Sequence, residues 1–86
     1  MPYIKHEDRA RLGLDWQAGD VPTALSAGQL NFLFSVLIKK YIFTKGQTYQ
    51  TFNDIVGALE GCKLEVYRRL VGPYEDTKIK ENGDVF

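Results

Sequence analysis

The sequence has little of what enzymes and metalloproteins commonly use. It contains one cysteine, Cys62, and one histidine, His6, which excludes an intrachain disulfide framework and a cysteine-rich zinc site. A lone thiol fits a reducing, cytoplasmic setting. A histidine that acts as a base needs a nucleophile and an orienting group, and the sequence designates neither. We therefore expect no catalytic site, no metal site and no cofactor, with His6 at the surface and Cys62 in the core.

Net charge and long apolar runs are also missing. Eleven Lys and Arg balance eleven Asp and Glu, so no overall charge draws the chain to extended nucleic acid or to an anionic membrane. The longest apolar stretch, residues 30–38, is interrupted by Ser35 and is far shorter than the ~20 residues that span a bilayer. The charged start lacks the apolar segment of a signal peptide. These features predict a soluble cytoplasmic protein.

The acidic residues do not form a magnesium-binding pattern. Helical nucleotide pyrophosphohydrolases pair Glu-x-x-Glu with Glu-x-x-Asp, which aims carboxylates from two helices at one metal ion. Here Glu60 and Glu65 are five residues apart, and Glu75 and Asp76 are adjacent. Both pairs diverge on a helix, so metal-dependent hydrolysis is not expected.

Apolar residues, in contrast, are plentiful at 44% of the chain. A chain this short buries only about 60–65% of the surface that its unfolded form exposes, so its core is thin. The excess of apolar side chains is therefore expected to lie in an interface between copies of the chain.

The most apolar predicted element is a long helix. Ser26 and Gln29 have the spacing of a capping box, and the helix should run to Lys45 and end at Gly46. Its apolar residues occupy two faces: Leu30, Leu33, Phe34, Leu37, Ile38 and Tyr41 on the broader one, and Phe32, Val36 and Phe43 on the other. A helix this apolar is expected to lie at the centre of a bundle or between subunits.

A second long helix is predicted over residues 52–71, with Thr51 as its N-cap and Gly72-Pro73 as its end. Its core stripe should comprise Ile55, Leu59, Cys62, Val66 and Leu70. Two glycines within it, Gly57 and Gly61, each cost about 1 kcal/mol relative to alanine. Small residues at this spacing let another backbone approach closely, either the preceding helix or a second copy. The predicted interface therefore comprises Phe32, Val36, Phe43, Gly57 and Gly61.

Shorter elements complete the predicted fold. A helical turn is expected over residues 7–12 and a last helix over residues 74–81. The two termini are short and apolar and can pair as a two-stranded ribbon. Trp16 is expected to plug the core or anchor an interface. The predicted architecture is a single mainly α domain over residues 1–86, a small bundle of two long helices plus short flanking helices.

The best candidate for ligand binding is a cluster of basic and aromatic residues. Guanidinium groups bind phosphate in bidentate fashion, and phenol rings stack on bases. The cluster comprises Tyr67, Arg68, Arg69 and Tyr74, to which a neighbouring subunit can add Lys39 and Lys40. The alternative is ordinary surface ion pairing, of Glu65 with the two arginines and of Glu60 with Lys63. Both interpretations stay open.

Charge is distributed unevenly along the balanced chain. Residues 27–45 hold three lysines and no acid, whereas residues 73–86 hold four acids against two lysines. A basic helix and an acidic tail can satisfy each other within one chain or between copies.

Several segments resemble a family of small proteins from phages, bacteria and archaea. The similar segments are Met-Pro-Tyr-Ile-Lys at the start, Gly28-Gln29-Leu30-Asn31, Gly57-Ala58-Leu59-Glu60, Lys63 to Arg69, Pro73-Tyr74-Glu75-Asp76 and Glu81 to Val85. Residues 14–27 depart from the helix that relatives have there. The family is a domain of unknown function, so the resemblance implies a phage or prophage setting and no activity.

The leading hypothesis is a non-enzymatic helical protein that forms homo-oligomers and works by binding, as a phage or prophage accessory factor in the bacterial cytoplasm. One alternative is an anti-defence protein that sequesters cyclic or linear nucleotides. Another is an inhibitor or adaptor that docks a host enzyme through its acidic tail. The expected partners are thus the chain itself and either a phosphate-bearing small ligand or a host protein.

Overall fold

The computed structural model describes residues 3–13 and 21–86, and the described chain is mainly α-helical, as predicted. It divides into two compact units, residues 3–55 and residues 56–86. The single domain over residues 1–86 stays a prediction. The expected anchor Trp16 lies outside the described residues.

Helix α1 (His6–Leu12) is a short element with well-defined ends. Acidic side chains occupy its first turn, where they interact favourably with the positive end of the helix dipole. Asp8 forms an ion pair with Arg11 at 3.6 Å. Gly13 ends it in the left-handed region, at φ 71°, which glycine adopts without a steric penalty. The helical turn predicted here is confirmed, and His6 is exposed as expected.

Helix α2 (Ala27–Lys45) begins and ends where its capping residues predict. Ser26 has extended backbone angles, and its Oγ accepts a hydrogen bond from the backbone N–H of Gln29 at 3.1 Å. The Gln29 side chain reaches back and accepts from the N–H of Leu25 at 2.7 Å, one residue before the usual capping-box donor. At the other end Gly46, at φ 91°, donates its N–H to Ile42.

Helix α3 (Tyr49–Val66) begins three residues earlier than predicted. Thr48, not Thr51, is its N-cap, because the Thr48 hydroxyl accepts from the N–H of Thr51 at 3.1 Å. The two threonine hydroxyls also share a hydrogen bond of 3.0 Å. This arrangement buries Thr51, which is 4% exposed. Both threonines are suitable caps, and the earlier one lets the helix gain almost a turn.

Gly72-Pro73 does not stop the helix that precedes it, which corrects the predicted end. The chain passes from α3 through a π-helical turn, Tyr67–Val71, into α4 (Gly72–Asn82). Gly72 is helical and donates its N–H to Tyr67 O, five residues back. In an uninterrupted α-helix the Pro73 ring would clash with the carbonyl four residues earlier. The wider π turn accommodates the proline, which then occupies the start of α4, where its missing N–H is tolerated.

The remaining described segments are irregular. Residues 3–5 and 83–86 form no strand, so the ribbon considered for the termini is not formed. Gly83, at φ 88°, ends α4 with its N–H on Ile79 O at 2.8 Å. No helix in the described ranges is both long and apolar enough to cross a bilayer.

Apolar burial is where the structure departs most from the prediction. Across residues 3–13 and 21–86 no apolar side chain is buried. The stripe assigned to the core of the second helix is partly or largely exposed at Leu59, Val66 and Leu70. Cys62 is exposed as well, so its expected core position is wrong. Caps and internal hydrogen bonds define the described helices, and their apolar faces remain accessible.

Candidate functional site

The narrower apolar face of α2 is an exposed stripe. Phe32, Val36 and Phe43 lie four and seven residues apart, and they are 67%, 47% and 90% exposed. At 3.6 residues per turn these positions fall on one side of the helix. The structure thus brings three of the five predicted interface residues together on one accessible surface.

The opposite face of α2 is accessible too. Leu30, Phe34 and Leu37 are all exposed, while Leu33 and Ile38 are half-buried. Apolar side chains therefore surround most of the helix without forming a closed core. A helix of this kind exposes more apolar surface than a stable monomeric protein normally tolerates.

The two glycines of the predicted interface lie in the middle of α3. Gly57 is exposed and Gly61 half-buried. A Cβ placed on Gly57 would meet no atom within 4 Å, so no described group approaches it closely. The close backbone approach predicted for this position stays a prediction about a second copy.

A polar link between α2 and α3 was missed by the sequence analysis. The Tyr41 hydroxyl donates to one carboxylate oxygen of Asp54 at 3.0 Å, and the Gln50 side-chain amide donates to the other at 2.7 Å. All three residues belong to the unit formed by residues 3–55. The short turn between Gly46 and Tyr49 brings the ends of the two helices together. The link could have been predicted from the sequence, because a tyrosine in the last turns of α2 and an acid in the first turns of α3 flank this short turn.

The same link perturbs the tyrosine. The hydrogen bond to the Asp54 carboxylate raises the pKa of Tyr41 above its usual 10.0, and slight desolvation and the negative charge of Asp54 add to the effect. The neutral hydroxyl is the form that donates, so ionisation would break the bond and place two negative charges side by side.

The predicted anion-binding residues lie in and beside the π-helical turn. Tyr67, Arg68 and Arg69 all belong to that turn, and Tyr74 follows in the first turn of α4. Arg68 Nη2 contacts both carboxylate oxygens of Glu65, at 3.0 and 3.4 Å. The ion pair predicted between these two residues is therefore formed. A phosphate bound to Arg68 would have to compete with this carboxylate.

The other predicted ligand-binding residues have different surroundings. Lys78 Nζ lies 5.5 Å from the centre of the Tyr74 ring, a cation–π arrangement that sequence reasoning missed. Lys78 also pairs with Glu81 at 3.2 Å. Lys39 and Lys40 are exposed on α2. Their contribution to a ligand site of a neighbouring subunit stays a prediction.

An open hollow of about 340 Å³ borders the exposed stripe at Phe32. One wall is the segment before the Ser26 cap, and the other is the first two turns of α2. The lining residues are Pro22, Thr23, Ala24, Gly28, Gln29, Phe32 and Leu33. Its lining is mostly apolar, so it makes one end of the stripe concave. Within the described ranges no group of three or more His, Cys, Asp and Glu side chains is placed to hold a metal ion.

Comparison with known proteins identifies a family and nothing more specific. A family model described as "Domain of unknown function (DUF6899)" matches residues 1–85. Searches of curated proteins and of solved structures gave no match. The resemblance to an uncharacterised family is thus confirmed, and any function has to be argued from the residues themselves.

Proposed function

We propose that this chain, which belongs to the DUF6899 family, acts as a homo-oligomeric helical binding protein without catalytic activity. Copies of the chain would cover one another's exposed apolar helix faces and so create the folded, functional unit. The observation that carries the proposal is the exposure of apolar residues on both faces of α2, together with the absence of a buried apolar side chain in the described residues.

The aromatic rings of the exposed stripe supply a large part of the apolar surface that association needs. Phe32 and Phe43 are 67% and 90% exposed, and with about 200 Å² for each ring they leave about 300 Å² accessible per chain. Two copies that buried both pairs of rings would remove about 600 Å² of aromatic surface, worth about 15 kcal/mol at 25 cal/mol/Å². This matches the upper end of the cost of association, ~4–15 kcal/mol. Val36 and the residues that face it across the interface add to the gain.

The opposite face of α2 bears on the size of the assembly. Leu30, Phe34 and Leu37 are exposed on that side, so one contact on the stripe does not cover the helix. A second contact, made by another copy or by a bound partner, is needed to remove these side chains from water. This requirement is the basis for a binding role.

The test is the molar mass in solution. Light scattering coupled to gel filtration, from low to high micromolar concentration, should give a multiple of the 9.8 kDa chain mass. The variant Phe32→Ser/Val36→Ser/Phe43→Ser should shift the mass towards the monomer. The matched control Leu25→Ser/Tyr49→Ser replaces two other highly exposed apolar residues and should leave the mass unchanged. A wild-type chain that is monomeric throughout this range overturns the proposal.

A second candidate is nucleotide sequestration. It is favoured by the grouping of Tyr67, Arg68 and Arg69 on one π-helical turn, because π turns recur at functional sites and arginine with tyrosine suits phosphate and base. The carboxylate of Glu65 on Arg68 opposes it. Calorimetry with cyclic dinucleotides and trinucleotides decides: binding that Arg69→Ala abolishes and Arg11→Ala preserves supports it, and no binding at micromolar concentration removes it.

The genomic setting is a further part of the proposal. The phage or prophage origin implied by the resemblance is checked by the genes beside this one. Defence-related neighbours would favour sequestration or inhibition of a host enzyme.

A further inference from the structure

We propose that copies of this chain associate by laying the exposed stripe of α2 in one copy against α4 of the next. The inference rests on the proposed homo-oligomer and names the surfaces that meet. Each surface combines apolar and charged side chains. The charged side chains are basic on α2 and acidic on α4.

The first surface, here called the basic stripe, comprises Phe32, Val36, Lys39, Lys40 and Phe43, all exposed on α2. At about 100° per residue, all of these residues except Lys40 lie within about 60° of arc around the helix axis. Lys40 lies at the edge of this arc. Two lysines therefore lie within and beside an exposed apolar stripe.

No ion pair in the described residues neutralises the charges of the basic stripe. Residues 27–45 contain no acid, and in the described part of the chain neither Lys39 nor Lys40 forms an ion pair. A partner that covers Phe32 and Phe43 comes close to both ammonium groups. Covering them with an uncharged or basic surface would leave these cations poorly solvated.

The second surface, here called the acidic stripe, lies on α4 and comprises Glu75, Asp76 and Ile79. These positions fall within about 100° of arc, with Ile79 between the two acids. Ile79 is 43% exposed. Lys78 pairs with Glu81, whereas among the described residues Glu75 and Asp76 form no ion pair.

The two stripes complement each other better than either complements itself. Basic stripe against basic stripe would crowd four lysines around the aromatic rings, and like charges at an interface disfavour that pairing. Pairing the basic stripe with the acidic stripe places Ile79 among apolar side chains, and it places two carboxylates near two ammonium groups. In a two-fold dimer the contact forms twice, since each copy contributes one stripe of each kind.

The experiment reverses the charges on each stripe separately. Variant one is Lys39→Glu/Lys40→Glu, and variant two is Glu75→Lys/Asp76→Lys. The control, Lys5→Glu/Lys45→Glu, changes the net charge as much as variant one, but Lys45 lies on the other side of α2 and Lys5 precedes α1. Circular dichroism verifies that all variants keep their helices. Sedimentation velocity at low ionic strength then gives the dissociation constants.

We expect each reversal to weaken self-association about tenfold or more, because attractive pairs become repulsive ones, and the control to change it little. An equimolar mixture of variants one and two should associate again, with alternating or paired copies. Raising the salt concentration should weaken the wild-type assembly, since screening acts on exposed pairs.

The other outcomes separate the two proposals. A wild-type oligomer that neither reversal weakens overturns the stripe pairing and leaves the homo-oligomer intact. Weakened variants that do not recover on mixing also overturn it, because the charges then do not meet between copies. A wild-type chain that is monomeric removes the homo-oligomer and this inference with it.

Discussion

Replacing Ser26 with alanine removes the cap that starts α2. The Ser26 hydroxyl accepts from the N–H of Gln29 at 3.1 Å, and the backbone of Ser26 is extended rather than helical. Alanine at this position offers no acceptor, so the Gln29 N–H loses its side-chain partner. The bond that Gln29 makes in return, to the N–H of Leu25, depends on the same entry of the chain into the helix and should weaken with it.

The expected loss of unfolding free energy is about 1 kcal/mol, the usual cost of removing a serine N-cap. In a chain of this length that loss lowers Tm by about 4–8 °C. Ser35→Ala is the matched control, because it makes the same substitution inside the same helix. The Ser35 hydroxyl donates to Asn31 O at 3.1 Å, a bond that competes with the helix, so alanine there should be neutral or slightly stabilising.

The assay is thermal unfolding followed by circular dichroism. All variants are compared at one protein concentration, because self-association stabilises the folded chain by mass action. Ser26→Asp should restore Tm, since aspartate retains the acceptor and favours the helix dipole. Equal Tm values for Ser26→Ala and Ser35→Ala would refute the reasoning, and so would a failure of aspartate to restore stability.

Three further predictions concern the α2–α3 link, the start of α3 and the π turn. In a spectrophotometric titration Tyr41 should ionise above its usual pKa of 10.0, and Asp54→Asn should lower the pKa of Tyr41. Because the folded pKa of Tyr41 is raised, the stabilisation from this bond is present below about pH 10 and is lost as the pH rises further. Thr48→Ala should cost about 1 kcal/mol in chemical unfolding, the loss of an N-cap, whereas Thr44→Ala, inside α2, should cost little. Pro73→Ala restores a backbone N–H and removes the clash of the proline ring. Hydrogen-bond couplings measured by NMR should therefore change from the i→i+5 pattern of a π-helix to the i→i+4 pattern of an α-helix. Retention of the π-helical pattern would contradict our account of the turn.

The ends of the helices were mostly predictable because capping is a local interaction. Ser26 with Gln29 marks the start of α2, and Gly46 ends it as expected. Each signal depends on residues within one turn of the chain. Thr48 and Thr51 are both suitable N-caps for α3, and the residue pattern does not decide between them. The choice depends on the stability of the one further helical turn that an N-cap at Thr48 adds.

The predicted stop at Gly72-Pro73 failed for a related reason. Glycine and proline commonly end helices, but the helical backbone continues when a π turn absorbs the extra residue. The Gly72 N–H bonds to Tyr67 O, and that choice depends on backbone geometry over more than one turn. The ion pair of Arg68 with Glu65, at a spacing of three residues, was predictable because both lie on one helix face.

Helical character, the capping residues and the spacing of the apolar faces follow from the sequence by itself, since they depend on contacts between residues a few positions apart. Only the tertiary structure decided which of those faces are covered. The link of Tyr41 with Asp54 joins residues thirteen apart, and the exposure of Phe32 and Phe43 reflects what does not pack on them. Burial depends on the meeting of segments distant along the chain, and periodicity marks an apolar face without saying what lies against it.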